Sequence, residues 1–470
     1  MHSEPARPMP AAAAGAANAG TEGDAAASGR ATGSTTGRPP HGWQRLVDIR
    51  PGEWPLLAWA LLYVFCVLSA YYVIRPIRDE MGVHGGVQNL QWLFTGTLLA
   101  MLALNPAFAA LVRRYSRERF ITLTYAFFML NLALFMAALM VADEAQQVWL
   151  GRAFFIWTSV FNLFVVSVFW ALMVDIFDSE QGKRLFGILA AGATLGAMAG
   201  SMITATLVRD VGANLLLAAS ILLLGGAILA VRQLSRRSQS LSRHPGAATQ
   251  TDRPIGGGLL AGITHTLRSR YLLNIAGYML LFAITSTFLY FQQAAIVSEH
   301  FTDRASRTEF FARIDLLVNV LTLLIQIFLT SRILKVAGVA LTAAILPLIT
   351  LVGFGALALA PTIALLVAVQ VARRVGNFAL ARPTRELLFT VLSREDKYKA
   401  KNLIDTAVYR AGDQVGSWSY ALLAGAGLGM TGIAVVALPL SLLWIGNAVW
   451  LGRRQQTLAG PPTEPPTAAS

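Results

Sequence analysis

The sequence predicts an all-α polytopic membrane protein: twelve transmembrane helices in two pseudo-symmetric six-helix bundles. Three observations carry this expectation. The 470 residues are 55% hydrophobic and 13% charged, with a mean hydropathy of +0.56, whereas a soluble domain is about a quarter charged. The apolar residues fall in long runs that match the ~20 residues a helix needs to cross a bilayer. Finally, the pattern repeats at a fixed offset. Lipid cannot satisfy backbone N–H and C=O groups, so each run must close its own hydrogen bonds, and a helix does so.

Six apolar segments are placed at Trp54–Ile74, Leu90–Val112, Phe120–Ala142, Val148–Ile176, Leu185–Val208 and Ala213–Val231. Six more follow at Tyr271–Val297, Phe310–Thr330, Val339–Leu359, Thr362–Leu380, Leu403–Leu428 and Gly432–Leu451. Residues 1–42, rich in Ala, Gly and Ser, are expected to form a disordered cytoplasmic tail, since they hold too little apolar surface to fold. Residues 43–231 form the first bundle, 232–269 a cytoplasmic linker, 270–454 the second bundle and 455–470 a second disordered tail. No compact apolar run precedes Trp54, so a secretory signal is not expected.

Seven Arg lie between Arg232 and Arg270. Arg113, Arg114, Arg117 and Arg119 follow the second span, Lys183 and Arg184 the fourth, Arg332 and Lys335 the eighth, and Arg453 and Arg454 the twelfth. Cytoplasmic loops concentrate Lys and Arg. Both termini are therefore expected in the cytoplasm, and the protein in the inner membrane of a bacterium. The net charge of +13 is on this reading mostly a topology signal, and no nucleic-acid partner is expected.

Shifting the sequence by 216 residues sets Gly196, Gly200 and Ser201 on Gly412, Gly416 and Ser417, Lys183 on Lys399, Glu180 on Asp396, and Ser69 on Thr285. Parallel six-span halves resemble the plan of the major facilitator superfamily, which implies a substrate site between the halves near mid-membrane, worked by alternating access. Gly192, Gly196 and Gly200, like Gly412 and Gly416, recur every fourth residue and suit close helix packing. Helices that slide during gating would use the same spacing.

Charges inside apolar runs are the candidate site. Each costs at least about 2.5 kcal/mol at bilayer depth, so it should face the bundle interior, water or a partner. Arg75, Arg78 and Asp79 are expected to cap the first span, with Pro76 ending or kinking it. Arg373 and Arg374 follow Pro361 by about 18 Å of helix rise, and Arg374, Phe378, Ala381 and Arg385, with Asn377 beside them, are expected on one face. Asp405, Tyr409 and Asp413 recur at steps of four in the eleventh span, with Arg410 alongside. Arg75, Arg78, Arg374, Asn377, Arg385 and Arg410 are the expected substrate contacts. Asp79, Glu386, Asp405 and Asp413 are expected to pair with them or gate. Basic groups exceed acidic ones in this set, and guanidinium forks suit carboxylate and phosphate, so the expected solute is a small organic polyanion. Arg78, Arg374, Arg385 and Arg410 are expected to converge on one cavity between the halves.

Some of these residues resemble a family. The run from Ala70 to Asp79 is similar to the end of span one in the ATP:ADP antiporters. Arg382-Pro383-Thr384-Arg385-Glu386, followed by Ser393 to Lys401 and Ile404-Asp405, is similar to that family's Pro-Thr-Lys-Glu and Glu-Lys-x-Lys-x-Lys signature. Phe169-Trp170 and Lys183-Arg184-Leu185-Phe186-Gly187 form a third, weaker block. The resemblance implies nucleotide exchange, with Arg78 and Arg385 at basic positions important for transport. It departs at Thr158 and Thr285, where the family carries acids important for transport, and that departure bears on ATP/ADP selectivity and counter-exchange.

Other classes find less in the sequence. The single cysteine, Cys66, excludes an intrachain disulfide. The six His stand apart, without metal-ligand spacing, and neither a phosphate-binding Gly-Lys loop nor a nucleophile with a base is present. No catalytic residues, metal or cofactor are expected, and the chain is expected to act as a monomer in the bilayer. A non-transporting scaffold or regulator with the same fold is the alternative. It would use the basic loop after span ten to hold an acidic partner or anionic lipid.

Overall fold

A computed structural model describes residues 49–50, 52–241, 266–392, 400–401 and 403–459. The expected N-terminal tail, the centre of the linker, the motif residues 393–399 and residues 460–470 lie outside the described residues, while 455–459, expected in the second disordered tail, continue the last helix to Ala459.

The described chain is a bundle of long helices. The first half comprises α1 (Trp54–His84), α2 (Leu90–Arg114), α3 (Arg117–Val141), α4 (Glu144–Ile176), α5 (179–211) and α6 (213–241). The second comprises α7 (Arg270–His300), α8 (Arg304–Phe328), α9 (Thr330–Leu359), α10 (Ile363–Leu388), α11 (404–425) and α12 (Met430–Ala459). Ten helices among the described residues are long and apolar enough to span a bilayer. One of these folds back at Gly212 into α5 and α6, and α11 supplies the remaining crossing. Outward faces carry Leu99, Leu102, Phe127, Leu130, Leu222 and Leu229, all exposed. A soluble fold would bury them, and lipid covers them here. The chain is a multi-pass membrane protein.

Local chemistry sets the boundaries. Asp143 and Gln146 form a reciprocal capping box at the start of α4, and Ser269, Asp303 and Thr362 cap α7, α8 and α10. Gly212 has φ of +74°. There a glycine turns the chain between α5 and α6 at a conformation a side chain would resist. Helix α6 runs past Val231 to Leu241, so the polar stretch beginning at Arg232 is helical over its first residues.

The first span differs from expectation. Pro76 does not end it: α1 continues to His84. A proline in a packed transmembrane helix is tolerated because neighbours satisfy the freed carbonyl. Arg75, Arg78, Asp79 and the unanticipated Glu80 therefore sit inside the helix rather than at its cap.

Within each half the glycine spacing becomes contact. Gly196 and Gly200 let α5 lie on the α1 backbone at Phe65 and Ser69, and Gly412 and Gly416 let α11 lie on α7 at Leu280, Ala283 and Ile284. Gly192 meets Leu61. The Ser69 hydroxyl donates to the Gly196 carbonyl at 2.9 Å. These glycines thus pack helices inside one bundle.

A clamp joins the starts of α1 and α5. The buried Glu53 carboxylate accepts from Arg184 Nη1 and Nη2 at 3.1 and 2.8 Å, from Gln181 at 3.1 Å and from the Arg50 amide at 3.0 Å. These donors, Arg184 foremost, hold the carboxyl at about 2. A carboxylate depressed on folding contributes its stability above its unfolded pKa of about 4.3 and loses it as pH falls toward the folded value. Glu53→Gln is expected to lower the melting temperature in detergent equally at pH 7 and pH 5. The gap from the parent protein should close between pH 4.5 and 2. A gap that persists at the acid end would count against the clamp.

Candidate functional site

Among the described residues, the expected site arginines fall into three clusters, two of them joining the halves and the third within the second half. The first combines α1, α2, α4 and α11. Arg78, Phe94, Thr97, Phe155, Ser159, Arg410, Asp413 and Gln414 line one small pocket of ≈ 20 Å³, about the room needed for a single water. The Arg78 guanidinium lies over the Phe155 ring at 3.8 Å and donates to Asp79 at 3.0 Å. Asp79 also accepts from the Tyr290 hydroxyl of α7 at 3.0 Å. Across the pocket Arg410 donates to Asp413 at 3.1 Å, and Thr287 lies at 3.5 Å from the same carboxylate. Two guanidinium groups from opposite halves thus face one space, each already occupied by its own aspartate.

The second cluster centres on Asp315 of α8, a residue the sequence reading did not single out. It is 2% exposed and ion-pairs with Arg75 of the first half at 3.1 Å and Arg374 of the second at 2.6 Å. In the third cluster Arg385 pairs with Asp405 at 3.3 Å and lies against the Met279 sulfur. The expected convergence of four arginines is therefore corrected: Arg78 and Arg410 share a pocket, while Asp315 captures Arg374 and Asp405 captures Arg385. Glu386 is also corrected. It is exposed and pairs with Lys401 at 2.6 Å, not with the interior.

The expected face of α10 is rearranged by a π-turn at Asn377–Ala381. A π-turn inserts one residue into the helical register, so positions after it rotate away from the face they would share in a regular helix. Arg382 follows directly after the turn. It is exposed, stacks on Phe378 at 4.7 Å, and has Tyr72 of α1 and Tyr409 of α11 within electrostatic reach. Asn377 is half-buried in the turn and does not line the pocket.

Arg373, which the sequence sets beside Arg374 in the same apolar run, is buried within the second half. It is 4% exposed and donates to Thr350 at 3.0 Å, Ser286 at 2.8 Å, the Phe282 carbonyl at 3.1 Å and Thr285 at 2.8 Å. Among the described residues no carboxylate pairs with it. Thr285 stands where the resembled family carries an acid, so hydroxyls and a carbonyl replace a counter-ion here. Thr158 donates to the Phe154 carbonyl within its own helix.

The two halves are joined most heavily toward the loops after α1 and α7. Arg304 donates to Glu80 at 3.0 and 3.1 Å and to Gln147 at 2.9 Å. Arg209 pairs with Glu309. An apolar cluster of Val83, Leu90, Leu93 and Phe155 with Phe288, Phe291 and Phe311 spans both halves there. Nearer the middle, Trp92 meets Trp418 edge-on and Thr95 donates to Gln414. A larger groove of ≈ 420 Å³ between α8, α9 and α10 is lined by aliphatic residues and glycine, with no polar side chain to orient a solute.

Long apolar helices with charges paired deep among them are the frame of a multi-pass membrane protein. The Major Facilitator Superfamily profile matches residues 57–384, and the chain belongs to that superfamily. Among solved structures the fold is similar to a bacterial homologue of the iron transporter ferroportin in an inward-facing state, at 12% identity and TM-score 0.59, covering 85% of this chain and 99% of that one. It is similar also to the nucleoside transporter NupG, at 13% identity and TM-score 0.52, covering 86% and 99%. By sequence it is 25% identical over 220 residues to ADP,ATP carrier protein 2 of Chlamydia pneumoniae. That alignment covers 42% of this chain and 41% of the relative.

Proposed function

We propose that the chain is a secondary transporter that moves an organic anion by alternating access, with Arg78 and Arg410 as the central anion contacts and a nucleotide as the first candidate substrate. The observation that carries this is the pair of arginines from opposite halves facing one pocket. An anion there would be held by both bundles at once, and guanidinium groups bind carboxylate and phosphate by paired hydrogen bonds. Phe155 and Phe94 add apolar and aromatic surface to the same lining. The segment similar to the ADP,ATP carrier supports a nucleotide, while Thr158 and Thr285 leave the exchange partner open.

The ≈ 20 Å³ pocket is too small for such a solute, so binding requires the halves to part. With both termini in the cytoplasm, as the loop charges favour, the linked end faces outward and the solute enters from inside. On this reading the protein works as a monomer in a bacterial inner membrane. Saturable uptake of labelled ATP, ADP or another phosphorylated anion into proteoliposomes is the expected result. Absence of saturable uptake across nucleotides, sugar phosphates, inorganic phosphate and dicarboxylates would overturn it.

A further inference from the structure

Each guanidinium of the central pocket already has a carboxylate partner. Arg410 is bonded to Asp413, and Arg78 to Asp79. An anion that takes both arginines must displace both aspartates, and the two are not equally provided for. Asp79 keeps the Tyr290 hydroxyl at 3.0 Å. Asp413, 6% exposed, is left with Thr287 at 3.5 Å, too long for a strong bond. Apart from Arg410, the cation that acts most on Asp413 is Arg78, which the same anion would engage. Helices α2 and α12 carry no charged residue over their apolar lengths, α4 presents Ser159 and α2 Thr97, and Tyr409 on the same helix, itself within reach of Arg373 and Arg382, is a further titratable neighbour. A buried carboxylate that loses its counter-charge is costly, and such a group neutralises by taking up a proton.

We infer that Asp413 binds a proton when an anion occupies Arg78 and Arg410, so that anion and proton move together. This rests on the anion-binding reading of the same pocket. The step balances without another reactant: the anion replaces the Asp413 carboxylate on Arg410, and one proton from solvent joins the displaced carboxylate. On release the proton leaves and the Arg410–Asp413 pair re-forms. Carriage is then of anion plus H⁺, and a proton gradient would drive accumulation.

The test is calorimetric titration of the detergent-purified chain with ADP, ATP and inorganic phosphate at pH 8, in two buffers of different ionisation enthalpy. About one proton should be taken up per anion bound, and Kd should weaken by up to about tenfold per pH unit above neutrality. Titration of the phosphate itself has the opposite sign, since binding its fully ionised form releases protons. Asp413→Asn should bind the same anion with no buffer-dependent heat. Binding with equal heats in both buffers and a pH-independent Kd would overturn the inference and leave the anion site standing. No binding of any of the three probes to the parent protein would remove both. If Asp413→Asn fails to fold, the two-buffer measurement on the parent protein decides alone.

Discussion

Arg78→Gln is expected to lower anion uptake at least about thirtyfold, with undiminished amounts of folded protein in the membrane. The glutamine keeps a donor and most of the volume but loses the charge and the stacking on Phe155 at 3.8 Å. Truncating one member of a buried hydrogen-bonded charge pair costs about 2–5 kcal/mol at a binding site, and about 2 kcal/mol is near thirtyfold in affinity. The loss should appear as a raised half-saturating concentration. Arg78→Lys should recover only part of it, because an ammonium cannot make the planar, forked contact. Uptake kinetics in proteoliposomes, normalised to inserted protein, check this. Uptake of Arg78→Gln equal to the parent's would remove Arg78 from the site.

Gly200→Val is expected to prevent the first bundle from packing. A Cβ at position 200 would lie 2.3 Å from the Ser69 carbonyl oxygen and 3.0 Å from its Cα. Both are backbone atoms that cannot swing aside, so α5 must withdraw from α1. Overpacking a rigid site costs about 1–3 kcal/mol in ordinary cores and more where backbone meets backbone. Withdrawal would also strain the Ser69 bond to the Gly196 carbonyl. The expected readout is loss of monodisperse protein on detergent extraction, or a melting temperature lowered by several degrees. Gly187→Val is the control, since a Cβ there meets nothing within 4 Å. Equal behaviour of the two variants would show that the glycine contact does not set helix spacing.

Much of this architecture was readable because lipid imposes a simple rule on composition. Apolar runs marked the spans, and the 216-residue offset tied Gly196 and Gly200 to Gly412 and Gly416, which now prove to make the same kind of contact in each half. The candidate site was legible only where a charge interrupted an apolar run. Arg78 and Arg410, which line the shared pocket, stood out that way. Asp315 was missed because it lies near the start of its run, beside Glu309 and Arg313, where an acid reads as interfacial. Pro76 misled because breaker chemistry holds for isolated helices and not for one wrapped by neighbours. The single face drawn through Arg374, Phe378, Ala381 and Arg385 followed from counting α-helical phase. No composition signal announces a π-turn, and one inserted residue redistributes every side chain beyond it.

The two π-turns have a further consequence. They lie at Asn377–Ala381 in α10 and Ile404–Val408 in α11. The 216-residue shift carries them to Phe161–Val165 in α4 and Ile188–Gly192 in α5, and both of those stretches are regular α-helix. The repeat is therefore broken in backbone register while it is preserved in helix order. A π-turn widens the coil and can migrate along it by exchanging hydrogen-bond partners one residue at a time. At the matching places the first half is unbroken α-helix, with no such joint. The second half holds two: Arg382 and Arg385 lie between them and Asp405 lies within the second, so a one-residue shift of either turn would re-aim charged side chains.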